Sequence, residues 1–110
     1  VTPTKAVNFY QQAPVVVDKG IYPNPFSDQA KIFIYLRVDA HLTLQFYNVA
    51  GEPVYRMEAD GVAGPNNPLI WRGVNEVGAR CASGVYILHL AATGVDQTHG
   101  DFWADLVIMR

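Results

Sequence analysis

Over residues 30–38 apolar side chains fall at every second position: Ile32, Ile34, Leu36 and Val38 lie on one side of an extended chain, and Lys31, Phe33, Tyr35 and Arg37 on the other. This spacing predicts a strand with one buried face. Leu42, Leu44 and Phe46 repeat it against Thr43, Gln45 and Tyr47 after a turn at Asp39-Ala40-His41, so the two runs are expected to pair as an antiparallel hairpin. Residues 85–92 are rich in β-formers, with Tyr86, Leu88 and Leu90 on an all-apolar face and His89 as the single polar interruption. Residues 101–109 set Phe102, Ala104, Leu106 and Ile108 toward a core and Asp101, Trp103, Asp105, Val107 and Met109 away from it.

Shorter runs at residues 54–58 and 69–71 read as further strands. A broken first strand is expected where residues 15–17 are β-branched, Asp18-Lys19-Gly20 reads as a turn, and Ile21-Tyr22 precede two prolines. Gly61, Gly64, Pro65, Asn66, Asn67 and Pro68 crowd together and exclude a helix there, and residues 73–84 are again rich in glycine and small polar residues. About seven short strands punctuated by turns, with no helical period, predict an all-β chain of two packed antiparallel sheets, although a closed barrel uses similar patterning.

The chain has 110 residues, half of them apolar, which suffices for one core and not for two. Residues 1–14 mix Pro3, Gln11, Gln12 and Pro14 without a period and read as a linker or loosely attached lead-in, leaving residues 15–110 as the domain. The net charge of −2 and the scattered basic residues offer no stripe for a phosphate backbone. No apolar run is long enough for a transmembrane helix. Val1 in place of an initiating Met fits a piece of a processed or longer protein. Cys81 is the one cysteine, so neither an internal disulfide nor a thiolate zinc site is expected.

Five motifs occur in order: Tyr22-Pro23-Asn24-Pro25-Phe26; Phe46-Tyr47-Asn48-Val49-Ala50-Gly51-Glu52-Pro53-Val54; Trp71-Arg72-Gly73-Val74-Asn75 with Gly78; Ala82-Ser83-Gly84-Val85-Tyr86-Ile87; and Leu106-Val107-Ile108-Met109-Arg110. Together they resemble the immunoglobulin-like domain of the flagellar hook-capping protein and its relatives. The related C-terminal sorting domains of type IX secretion cargo are similar, sharing the Tyr-Pro-Asn-Pro opening and the Ser-Gly-Val-Tyr strand. The resemblance implies an immunoglobulin or fibronectin III-like sandwich.

It also implies structural roles for Pro23, Asn24, Pro25, Gly51, Trp71, Gly73, Gly84 and Tyr86, the last resembling a tyrosine corner whose hydroxyl returns to nearby backbone. On physical grounds Pro23 and Pro25 remove two backbone donors and force the chain out of its sheet, while Gly51, Gly73 and Gly78 permit tight turns. Three departures stand out: Arg72 where relatives carry Asp, Cys81 where they carry an apolar residue, and a final strand without a lysine-rich ending.

Ser83, His89 and an aspartate lack a nucleophile elbow, so no catalysis is expected. The widely separated His41, His89 and His99 form no short ligand pair, and Asp96, Asp101 and Asp105 match no calcium loop, so neither metal nor cofactor is expected. Tyr35, Tyr47, Tyr55 and Trp103 fall on faces opposite the expected core and are candidate surface-binding residues. The reading is a non-catalytic accessory module at the C-terminal end of a larger exported bacterial protein, at the cell surface, outside the cell or in the periplasm. It would contact upstream domains of the parent and secretion machinery or a cell-surface component, in sorting or anchoring. The alternatives are a carbohydrate-binding module of a secreted glycoside hydrolase and the immunoglobulin-like domain of a flagellar hook-assembly protein.

Overall fold

A computed structural model describes residues 14–110, so the expected lead-in lies almost wholly outside the described residues. The strands are β1 (Val16–Tyr22), β2 (Ala30–Leu36), β3 (Ala40–Asn48), β4 (Pro53–Gly61), β5 (Gly64–Pro65), β6 (Leu69–Trp71), β7 (Gly84–Gly94) and β8 (His99–Ile108). One sheet places β2 between β1 and the two short strands β5 and β6; the other runs β4-β3-β7-β8, and every strand pairing is antiparallel. The fold is an all-β sandwich of the immunoglobulin-like type.

Alternation sets the inner faces. Ile32, Ile34 and Leu36 of β2 oppose Leu42, Leu44 and Phe46 of β3 and Leu88 and Leu90 of β7, all buried, with Leu106 and Ile108 closing the far side. At one end of this interior Trp71 is 1% exposed. Its ring stacks on Phe46 at 4.2 Å and 19° and meets Phe26 and Tyr86 edge-on at 5.9 and 5.7 Å. The indole nitrogen donates to the Val74 carbonyl at 3.0 Å, so the one polar atom of this side chain enters the core satisfied.

The expected hairpin between β2 and β3 does not form, since β2 lies in one sheet and β3 in the other. Both strands turn apolar residues into the same interior, and alternation specifies which face is buried but not which neighbour supplies the hydrogen bonds. Residues 37–39 carry the chain across: Arg37 N–H donates to the Val15 carbonyl, Val95 N–H to the Asp39 carbonyl, and Ala63 N–H to the Asp39 carboxylate, each at 2.8–2.9 Å. The turn expected at Asp39-Ala40-His41 shortens accordingly, and β3 begins at Ala40.

The first strand is also not broken at Asp18-Lys19-Gly20. β1 pairs with β2 as far as Tyr22 opposite Lys31, and a bulge between Val16 and Asp18 absorbs the irregularity. This is an exposed edge strand, so backbone pairing holds it where a buried strand would need apolar side chains.

Trp71→Ala is expected to cost about 3–5 kcal/mol, because it empties the point where four aromatic rings from different segments meet. Urea unfolding followed by circular dichroism measures it.

Candidate functional site

The four candidate surface-binding aromatics fall at three different places in the fold. Tyr35, 47% exposed, stands on the outer face of β2, with Phe33 two residues before it on the same side. Tyr47 and Trp103 stand on the outer face of the other sheet, across the sandwich. Tyr55 turns inward: it pairs with Phe46, shares its face at 6.3 Å between rings, and packs half-buried against the core. A register shift between Phe46 and Tyr47 makes Pro53, not Val54, the partner of Tyr47, so Tyr55 has to be removed from the surface group.

On the outer face of the β4-β3-β7-β8 sheet, Trp103 and His89 sit directly opposite each other, with Gln45 opposite His89 on the other flank. The His89 ring lies 4.2 Å from the indole at an interplanar angle of 20°, and the Tyr47 ring lies 6.2 Å from it at 29°. Asp101 holds the imidazole through a contact of 2.9 Å to Nε2. His89 was legible only as a polar interruption; its place beside Trp103 follows from the β7–β8 register, which alternation leaves open.

The motif residues gather at one end of the molecule. Pro23, Asn24 and Pro25 lead from β1 to the outer edge of β8, where the Asn24 side chain acts as a substitute strand. Its Nδ2 donates to the Asp105 carbonyl at 2.9 Å and its Oδ1 accepts from Val107 N–H at 2.9 Å. Phe26 continues the pairing, donating to the Val107 carbonyl and accepting from Met109 N–H. The prolines, lacking N–H groups, could not have made the bonds that Asn24 supplies.

Arg110 binds the same end together. Its guanidinium donates to the carbonyls of Ser27, Gly73 and Cys81 at 2.7–3.0 Å, and its backbone N–H to Ser83 Oγ at 3.0 Å. Gly73 has φ +67°, which favours glycine, and a Cβ there would come within 2.7 Å of the guanidinium and push it from its carbonyl partners. Gly84 opens β7, and the Tyr86 hydroxyl donates to the Ala82 carbonyl at 2.8 Å. Gly51 lies in the β3–β4 turn, which Asn48 closes by accepting from Ala50 and Glu52 N–H.

His89 is bound to Asp101, and Ser83 Oγ accepts from Arg110, so these groups are engaged separately. Asp96 is likewise occupied by Arg37 and Thr98. Among the described residues no cluster of three His, Cys, Asp or Glu side chains is arranged for a metal ion. Burial pushes the Cys81 thiol up despite the nearby Arg110 charge, which disfavours the nucleophilic thiolate. On the β3–β4 pair His41 sits between Asp60 and Glu58 at 2.8 Å each. These bonds, that to Asp60 first, raise the imidazole above its ordinary value, while His41 and then Arg56 lower Glu58.

The model of a family described as the secretion system C-terminal sorting domain matches residues 20–99. Among solved structures, dimeric latent PorU from Porphyromonas gingivalis is similar with a TM-score of 0.68 and 18% identity; the match covers 84% of this chain and 9% of PorU. FlgD from P. aeruginosa is similar with a TM-score of 0.60 and 20% identity, over 86% of this chain and 78% of FlgD. A family 76 glycoside hydrolase from a bovine Bacteroides thetaiotaomicron strain gives 0.58 and 9%, over 89% of this chain and 21% of the hydrolase. These three likenesses speak to the fold. No curated protein matches the chain.

Asn24→Ala is expected to lower stability by about 1 kcal/mol through its two lost bonds to β8. The urea midpoint reads the loss, and amide exchange at Val107 should accelerate with it. The His41 cluster has a definite pH sign. The raised His41 value gives stability that is complete below its ordinary 6.5 and disappears as pH rises through the folded value. The lowered Glu58 value gives stability present above its ordinary 4.5 and lost as pH falls through the folded value. The gap in urea midpoint between the native chain and His41→Gln should therefore be widest between pH 4.5 and 6.5 and shrink in alkali.

Proposed function

The chain belongs to the family of secretion system C-terminal sorting domains, and on that premise we propose that residues 15–110 form a self-folding, non-catalytic module that directs a longer protein out of the cell. Domains of this family mark exported proteins, and the observation that carries the reading is the family match over residues 20–99, which runs from β1 to the start of β8.

The physical layout suits a module read from its surface. The core is closed by apolar side chains, and among the described residues no buried polar side chain is left without a hydrogen-bond partner. The distinctive residues are spent on holding the chain's connections: Asn24 on β8, Arg110 on the β1–β2 and β6–β7 connections, Asn48 and Asn75 within their own turns. In this reading the secretion machinery is the partner, and the upstream part of the parent protein is the cargo. The hook-assembly alternative is less well supported, because FlgD shares the fold at 20% identity whereas the family match is to sorting domains.

A periplasmic reporter joined to the N-terminal side of this chain, in a bacterium with a type IX secretion system, tests the proposal. The reporter should appear outside the cell with the chain attached and stay in the periplasm without it. Equal release with and without the chain would overturn the sorting role.

A further inference from the structure

Trp103, 60% exposed, lies on the outer face of the edge strand β8, and the arrangement around it narrows what could cover it. His89, parallel to the indole within 20° and 4.2 Å away, covers one face of the ring. Even so, 60% of the residue remains exposed. Asp101 fixes His89, and the Tyr47 ring lies 6.2 Å from the indole at an interplanar angle of 29°, so a second aromatic ring flanks Trp103 on the same outer face. An exposed indole flanked by a second ring offers a π surface on which polarised C–H groups of a ligand can pack.

The surroundings specify the ligand further. Asp105, two residues along β8 on the same face, has a carboxylate with no hydrogen bond among the described residues, and Gln45 uses its amide nitrogen on the Phe46 and Tyr55 carbonyls, leaving its oxygen free to accept. Asp101 adds a further acceptor beside the ring. These groups accept from hydroxyls. The face as a whole carries Asp101, Asp105, Glu58 and Asp60 against one permanent cation, Arg56, together with the imidazoles of His41, His89 and His99. Such a surface repels polyanions.

Nor is this edge a docking site for another strand. The outer edge of β8 is occupied by Asn24 and Phe26 at one end and approached by Val15 beside Gly100 at the other. Only a short stretch around Trp103 stays open.

We propose that Trp103 and Tyr47, backed by His89, form a binding platform for a neutral polysaccharide chain outside the cell, each ring stacking on a pyranose face while Asp105 and Gln45 accept hydroxyl hydrogen bonds. The platform stands apart from the sorting role, and its test has a separate readout.

The full chain is titrated with cellohexaose and maltohexaose as neutral glycans, with oligogalacturonate as the acidic counterpart, and with vesicles carrying anionic lipopolysaccharide. Binding is followed by tryptophan fluorescence and by calorimetry. A saturable response to at least one neutral glycan is expected, with none to the acidic probes. Trp103→Ala should abolish it, and Tyr47→Ala should weaken it by about tenfold. Both exposed-face variants should keep the native circular dichroism spectrum. The proposal is overturned if no neutral glycan gives a saturable response, if Trp103→Ala binds as the native chain does, or if the acidic probes bind more tightly. The export assay is unaffected by any of these results, so failure of the platform and failure of the sorting role are distinguishable.

Discussion

Neither sheet of this molecule has a reason to persist without the other, because each presents apolar side chains on alternate residues of one face and those faces have only each other to bury against. Trp71 is where that mutual burial is tightest. It comes from the short strand β6, stacks on Phe46 of the opposite sheet, and meets Phe26 and Tyr86 with its edges. The rings therefore tie one sheet to two strands of the other and to the segment that follows Pro25. Arg110, Asn24 and Gly73 belong to the same end and fix the loops that would otherwise let water reach the indole.

The buried faces were legible because strand periodicity is local. Ile32, Ile34, Leu36, Leu42, Leu44, Phe46, Leu88, Leu90, Leu106 and Ile108 are all buried where alternation put them. Pairing is nonlocal, and there the sequence misled: β2 and β3 look like hairpin partners yet sit in opposite sheets, and the supposed turn at Asp18-Lys19-Gly20 is part of a paired strand. Tyr55 shows how one bulge reverses a side chain. Counted from Tyr47 it belongs outside, and counted from its actual partner Phe46 it belongs inside.

Side-chain substitutes for backbone were illegible for a different reason. Asn24 lies between two prolines and reads as a turn residue, but its amide reaches β8, more than eighty positions away in sequence. Arg110 likewise looks like an ordinary surface charge until the loops carrying Ser27, Gly73 and Cys81 converge on it. The aromatic platform falls between these cases. Trp103 was visible as an outward residue, whereas its support by His89 and its separation from Tyr35 depend on which strands are neighbours.

A sorting domain built this way presents its features only when folded, since Asn24, Arg110 and the outer aromatics are brought into place by the interior around Trp71. The most direct measurement is therefore export of a reporter carrying the chain with Trp71→Ala, alongside circular dichroism of the isolated variant. The account predicts that loss of the folded spectrum and loss of export occur together. Undiminished export by a chain that no longer folds would contradict it, because the signal would then reside in the linear motifs alone.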